Sequence, residues 1–315
     1  MDWYVIVLIV ISSLILLTII LCLGLHRYVC KRSYRTNESI DKFAENFYGK
    51  KYAEEIKRGM RELDALPKEE IKINSIDNTE LTGYFYKGET NKVIIYAHGY
   101  HSTFRFDFSL GYEEYYKRGY SLLFIDQRAH QKSKGNFLTF GIKERYDLLS
   151  WIKYIDKRFS GNAKIILCGI SMGASTVMYT LGLDLPKSVV GAICDCGYEK
   201  PIDVIRHAVK EKIKFGINLV TELINIGSII ATGESFKSIS TEETLKNNKL
   251  PVYIIHGTKD TRVPVEMGYK NFENTRGMGI FACVENAEHG MGYLVNREMY
   301  QKHLKEFIEK TGIED

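Results

Sequence analysis

Strong charge of either sign is missing from this sequence. Its 315 residues carry 43 Lys and Arg against 39 Asp and Glu, a net charge of +4. A nucleic-acid surface needs a larger basic field than that, so no nucleic-acid partner is expected. Paired CxxC clusters are absent as well. The six cysteines follow neither a secreted disulfide framework nor a zinc-ligand spacing, and they read as small apolar packing residues in a reduced compartment. Cys194 and Cys196 stand two apart in an apparent strand, which would point both to one face, where ladder geometry resists bridging. No repeat or low-complexity stretch follows residue 30. With 26% charged and 45% apolar residues, the composition excludes disorder and fibrous architecture. The length fits one large α/β domain plus an N-terminal anchor.

From Trp3 to Leu25 the chain is almost continuously apolar, broken only by Ser12, Ser13, Thr18, Cys22 and Gly24. That length suffices to cross a hydrocarbon core as one helix. A cleavable signal would place positive charge before a shorter apolar core, whereas here Asp2 precedes the run and His26-Arg27 follow it. The basic residues Arg27, Lys31, Arg32 and Arg35 on the C-terminal flank predict a cytoplasmic domain by the positive-inside rule. The expected division is an anchor over 1–30, an amphipathic helical lead-in over 31–68 and a catalytic domain over 69–315. In the lead-in, Phe43, Phe47, Tyr48, Tyr52 and Ile56 recur at roughly helical spacing and are expected to pack on the domain.

Two alternating runs, Glu70 to Ile76 and Leu81 to Tyr86, flank the turn-forming Asp77-Asn78 and predict an edge hairpin. Strands and helices then alternate: strand Val93 to Ala97, helix Phe108 to Arg118, strand Ser121 to Ile125, helix Ile142 to Arg158, strand Lys164 to Cys168. Helix Ser171 to Leu183 follows, then strands Val189 to Cys194, Val252 to His256 and Ile280 to Val284, and a last helix from about Tyr293 to Lys310. Apolar strands interleaved with helices predict an eight-stranded, mainly parallel sheet covered on both faces. The residues at about 197–250 contain no clear strand, only helical patterns over 201–217 and 219–229. They predict a helical insertion over the sheet's C-terminal edge, in the position of a lid.

The stretch Cys168-Gly169-Ile170-Ser171-Met172-Gly173 ends a buried strand in G-x-S-x-G and opens a helix. A serine on so tight a turn is lifted out of the sheet, and side chains at the flanking glycines would collide with their surroundings. A serine hydroxyl also needs a base, and the base needs a third group to orient it. Asp260, on the loop after strand Val252 to His256, and His289, before the last helix, should reach the same sheet edge. Asp195 is the rival acid.

With this motif and chain order, the segment from about Glu70 onward resembles the α/β-hydrolase superfamily, whose order is serine, acid, histidine. It is particularly similar to bacterial serine aminopeptidase-like and lysophospholipase-like members, which share His98-Gly99-Tyr100 and Asp126-Gln127-Arg128. The family usually continues the latter with Gly-x-Gly-x-Ser, where this chain has Ala129-His130-Gln131-Lys132-Ser133, a departure that bears on the loop's shape. The resemblance implies Ser171 as nucleophile, His289 as general base and acid, and Asp260 as the group that fixes the imidazole. The backbone N–H groups of Tyr100 and Met172 would form the oxyanion hole. His98 is expected to brace its loop, and His101 and His130 to be non-catalytic.

The implied activity is a membrane-anchored serine hydrolase that cleaves an acyl ester, lipid-derived or otherwise amphiphilic, through an acyl-enzyme and without metal or organic cofactor. Membrane contact is expected through residues 3–25. Peptidases, thioesterases and acyltransferases share the scaffold, but an aminopeptidase needs an acid for the substrate amine, and none of Asp195, Glu199 and Asp203 stands out. A catalytically silent membrane scaffold is the alternative of another class.

Overall fold

A computed structural model describes residues 2–313, the side chains of 47, 48, 50 and 51 excepted. Its centre is an eight-stranded sheet of β1 (Glu69–Asn74), β2 (Glu80–Tyr86), β3 (Lys92–Ala97), β4 (Ser121–Ile125), β5 (Lys164–Ile170), β6 (Val189–Asp195), β7 (Val252–Gly257) and β8 (Gly279–Val284). The spatial order is β1-β2-β4-β3-β5-β6-β7-β8. β2 runs antiparallel to both its neighbours, and all other pairs are parallel. The expected hairpin is formed by β1 and β2, with Asn78 in the left-handed conformation its turn requires. The central strands are buried on both faces because their side chains alternate between two apolar layers. Ile94, Tyr96, Leu122 and Phe124 enter one layer, and Val93, Ile95, Leu123 and Ile165 the other.

Twelve helices are described: α1 (Trp3–Cys30), α2 (Asn37–Ala65), α3 (Phe104–Asp107), α4 (Glu113–Tyr116), α5 (Glu144–Arg158), α6 (Met172–Thr180), α7 (Pro201–Lys210), α8 (Ile217–Thr232), α9 (Thr241–Thr244), α10 (Val265–Asn274), α11 (Gly292–Val295) and α12 (Arg297–Thr311). Trp151 and Ile155 of α5 fill the second apolar layer and Phe307 of α12 the first, so both faces of the sheet are covered. α7 and α8 form the expected insertion. Pro201 occupies the first turn of α7, where its missing N–H costs nothing.

Three expectations are corrected. The single helix over Phe108 to Arg118 is replaced by α3 and α4, because Gly111 takes φ +87° and Thr103 caps a helix that begins earlier. The final helix is two, interrupted where the Asn296 backbone leaves helical geometry and its side chain caps α12 by accepting the Met299 N–H. Cys194 and Cys196 do not share a face. The strand ends at Asp195, Cys196 turns out at φ +46°, and the two side chains enter opposite core layers.

α1 is the one helix among the described residues long and apolar enough to cross a membrane. α2 is capped by Thr36 and breaks at Gly49. It buries Ile40, Ala44, Ile56 and Met60 beneath Phe106, and the Phe43 ring packs on Phe106 at 4.9 Å. The expected contributions of Phe47 and Tyr48 lie outside the described residues.

Candidate active site

β5 delivers Ser171 to the C-terminal edge of the sheet. There its backbone takes φ +55° and ψ −119°, a conformation held at a cost because the surroundings over-determine it. The flanking glycines show how. A Cβ on Gly169 would sit 2.3 Å from the Gly173 carbonyl oxygen, and one on Gly173 would sit 1.8 Å from that of Ala97. The turn is closed by the Ser171 N–H, which donates to the Asp195 carbonyl at 2.8 Å.

The structure brings Ser171, His289 and Asp260 together. Ser171 Oγ lies 2.9 Å from His289 Nε2, and His289 Nδ1 lies 2.7 Å from Asp260 Oδ2. Asp260 Oδ1 accepts from the Arg262 and Val263 N–H groups, both at 2.9 Å. Burial alone would push the Asp260 carboxyl up, but hydrogen bonds from His256 and His289 outweigh it and hold the group well below the ordinary carboxylate range. Asp195 is not placed at His289 Nδ1. Its carboxyl is fully buried and pushed up to about 7 by that burial, with the nearby imidazole of His256 working against the shift.

The loop carrying His98, Gly99 and Tyr100 passes directly beside the serine, so that a Cβ on Gly99 would lie 3.4 Å from Ser171 Cβ. Among the described residues the backbone N–H groups of Tyr100 and Met172 donate to no protein acceptor. His98 is wholly buried. Its Nδ1–H donates to the Gly99 carbonyl at 2.8 Å, and its Nε2 accepts from the Gln127 N–H at 3.1 Å. Desolvation lowers its pKa to about 4, which keeps it neutral. His130, also buried and held well below its usual pKa by desolvation, accepts the His101 N–H at 3.1 Å. Neither ring points a free nitrogen at the serine.

The Ala129–Ser133 loop takes a shape glycine would favour, since Ala129 and Gln131 both have positive φ. It also receives the linker from α1. Ser33 N–H donates to the Ala129 carbonyl at 2.8 Å, Gln131 N–H to the Ser33 carbonyl at 3.1 Å, and Arg32 Nη1 to the Ser133 carbonyl at 2.6 Å.

Three further groups at the site were not singled out in the sequence. Cys196 Sγ lies 3.9 Å from His289 Nε2, His256 Nε2 lies 3.4 Å from Asp260 Oδ2, and Asp107 accepts from the Gly99 N–H at 2.6 Å and the Ser102 hydroxyl at 2.6 Å. Only His256 had a visible signal, its position at the end of an apolar strand just before the acid loop. Cys196, Asp260 and His289 form the cluster with metal-like spacing among the described residues, their donor atoms within 4.8 Å of one another. Both nitrogens of His289 already face hydrogen-bonding partners, and burial pushes the Cys196 thiol far up, which disfavours the thiolate a metal ligand would need.

A cavity of about 660 Å³ opens over Ser171 and His289, within the size range of ligand pockets. Its walls are mostly apolar and include Phe140, Ile170, Val204 and Ile205, together with Leu25 and Val29 of α1.

Comparison with known proteins agrees with this architecture. The family model described as serine aminopeptidase, S33 matches residues 88–201. An uncharacterised protein of Bacillus subtilis, YqkD, is 25% identical over 237 residues, covering 73% of this chain and 77% of its own. The Pyrococcus furiosus esterase Pf2001 superposes with a TM-score of 0.63 at 25% identity, covering 80% of this chain and 95% of that one. The Pyrococcus horikoshii acylaminoacyl peptidase, at 19% identity and TM-score 0.59, shares the fold over 81% of this chain and 43% of its own. By sheet order and by these superpositions, this chain has the α/β-hydrolase fold, which the esterase and the acylaminoacyl peptidase share.

Proposed function

We propose that this protein is a membrane-anchored serine hydrolase that cleaves acyl esters through a covalent acyl-enzyme. The observation that carries the reading is the unbroken relay from Ser171 Oγ through His289 to Asp260, at 2.9 Å and 2.7 Å. Ser171 Oγ attacks the acyl carbon while its proton passes to His289 Nε2. The oxyanion is received by the Tyr100 and Met172 N–H groups, donors with no acceptor among the described residues. Collapse expels the alcohol, which takes the proton from His289. Water then repeats the sequence on the acyl-enzyme, releasing the carboxylic acid and restoring the serine.

An ester is favoured over a peptide with a free amino terminus by the acids around the site. Asp107 is engaged by Gly99 and Ser102, Glu199 faces Lys200 and Lys270 at 3.4 and 3.5 Å, and Asp203 pairs with Arg206 at 2.6 Å. The anchor is α1, and the basic flank after it orients the catalytic domain toward the cytoplasm.

A fluorophosphonate probe tests the chemistry on the full-length protein. Ser171 should be labelled, and Ser171→Ala should abolish both labelling and turnover of a p-nitrophenyl ester. Turnover that survives Ser171→Ala or His289→Ala would place the nucleophile elsewhere. Protease digestion of sealed membranes tests the orientation, and cleavage of the catalytic domain from outside the cell would overturn it.

A further inference from the structure

α1 does not leave the domain where its membrane-exposed portion ends. Residues 3–21 span roughly 29 Å of helix at 1.5 Å per residue, about one hydrocarbon thickness, and they are almost wholly exposed. From Cys22 one face of the same helix packs against the protein. Cys22, His26 and Cys30 are buried at four-residue spacing, and the His26 ring packs on Phe137 at 4.8 Å. Gly227 of α8 meets α1 backbone to backbone, so that a Cβ there would stand 2.2 Å from the Cys22 carbonyl oxygen.

The adjacent face of α1 carries Leu25, Tyr28 and Val29, and these line the same 660 Å³ cavity as Ser171 and His289. The Tyr100 hydroxyl, from the loop beside the nucleophile, donates to the Val29 carbonyl at 2.7 Å. Ile226, Ile229 and Ile230 of α8 remain exposed near this crossing, so the apolar surface of the exposed helix continues to within a turn or two of the cavity wall.

We propose that α1 is part of the substrate site: a single-chain acyl ester leaves the bilayer along the helix, and its tail lies against Leu25 and Val29 of α1 and Val220 and Ile224 of α8, with its carbonyl at Ser171. This proposal rests on Ser171 being the nucleophile. At about 30 Å³ per water-sized group, the cavity holds on the order of twenty such groups, room for a long acyl tail and its ester.

The full-length protein in lipid nanodiscs is treated with a hexadecyl fluorophosphonate carrying a diazirine at the end of its chain. Ser171 Oγ displaces fluoride at phosphorus, its proton passing to His289, and irradiation then fixes the tail to its neighbours. Crosslinks should map to residues 25–29 and 220–224. Labelling of Ser171 with crosslinks confined to other walls would overturn the proposal. Absence of labelling would instead sink the catalytic reading, and this proposal with it. In parallel, Leu25→Trp should lower the ratio of kcat/KM for the hexadecanoate over the butyrate p-nitrophenyl ester at least tenfold, and Ile76→Trp, exposed on the turn between β1 and β2, should leave it unaltered. An unchanged ratio in a Leu25→Trp protein that labels normally also overturns it.

Discussion

Asp260→Asn is expected to be among the most damaging isosteric changes in the molecule, because the structure dictates how the amide must sit. Asp260 Oδ1 accepts from two backbone N–H groups, those of Arg262 and Val263, so the amide oxygen of asparagine is held at that position. The amide NH₂ is then turned toward His289 Nδ1, which at 2.7 Å must now accept a hydrogen bond instead of donating one. The imidazole is forced to carry its hydrogen on Nε2, the atom that should accept the Ser171 proton. A tautomer inverted in this way costs about 10⁴-fold in kcat, or roughly 5–6 kcal/mol of barrier. Asp260→Ala opens a space in which water can accept from Nδ1 and should lose less. The assay is kcat/KM on a short p-nitrophenyl ester beside the rate of fluorophosphonate labelling, with circular dichroism to confirm the fold. If the folded Asp260→Asn enzyme retains activity within tenfold of the parent, or exceeds Asp260→Ala, the relay is not working as described.

Other residues give independent checks. Gly173→Ala would place a methyl 1.8 Å from the Ala97 carbonyl oxygen, against backbone that cannot rotate away. The expected result is a loss of about 3 kcal/mol or more in urea denaturation, and a normal unfolding midpoint would refute the close packing. Asp147→Ala should cost about 3–5 kcal/mol, since it strips the buried Arg128 guanidinium of two hydrogen bonds at 2.6 Å; an unchanged melting temperature would refute this. Asp195, pushed by burial from 3.8 to about 7, holds its proton in the folded chain after the unfolded chain has released it. Its contribution to stability is therefore full below about pH 4 and is lost as pH rises toward about 7. Asp195→Asn should gain in melting temperature relative to the parent between about pH 5 and pH 8, and a constant difference would contradict the assignment.

Much of the sheet, and the convergence of Ser171, His289 and Asp260, was legible because local chemistry and global fold agreed. Apolar runs as continuous as Val93 to Ala97 fit only strands covered on both faces, and G-x-S-x-G between strand and helix leaves little choice of backbone. The failures came where a single residue decides. Gly111 and Asn296 each interrupt a stretch that periodicity would run as one helix, because a left-handed backbone or a capping side chain outweighs the apolar pattern. Cys196 escaped the strand rule for the same reason, leaving the ladder at a positive φ. Asp107 could not be found at all. It meets Gly99 only because α3 folds back over the loop, and no spacing in the chain records that contact.

The N-terminal helix shows most clearly what hydropathy conceals. A run of apolar residues is silent about where packing against the protein begins, and here the change from exposed to buried side chains occurs inside one uninterrupted helix near Cys22. Beyond it, the buried Cys22, His26 and Cys30 occupy a face that an apolar run cannot distinguish from a lipid-facing one. The linker is equally consequential. Arg35 Nε donates to the His101 carbonyl and its N–H to Gln131 Oε1 at 2.7 Å, which ties it to two loops at once. One of these follows the loop of Gly99 and Tyr100 at the nucleophile, and the other replaces the family's glycines with Ala129 and Gln131. That replacement acquires a physical reason in this setting. Gln131 accepts the left-handed backbone and in return bonds Arg35 through both ends of its amide, an anchorage glycine could not supply. The segment that follows α1 is thus fastened to both loops, so the frame around Ser171 and the N-terminal apolar helix are joined by one continuous piece of chain.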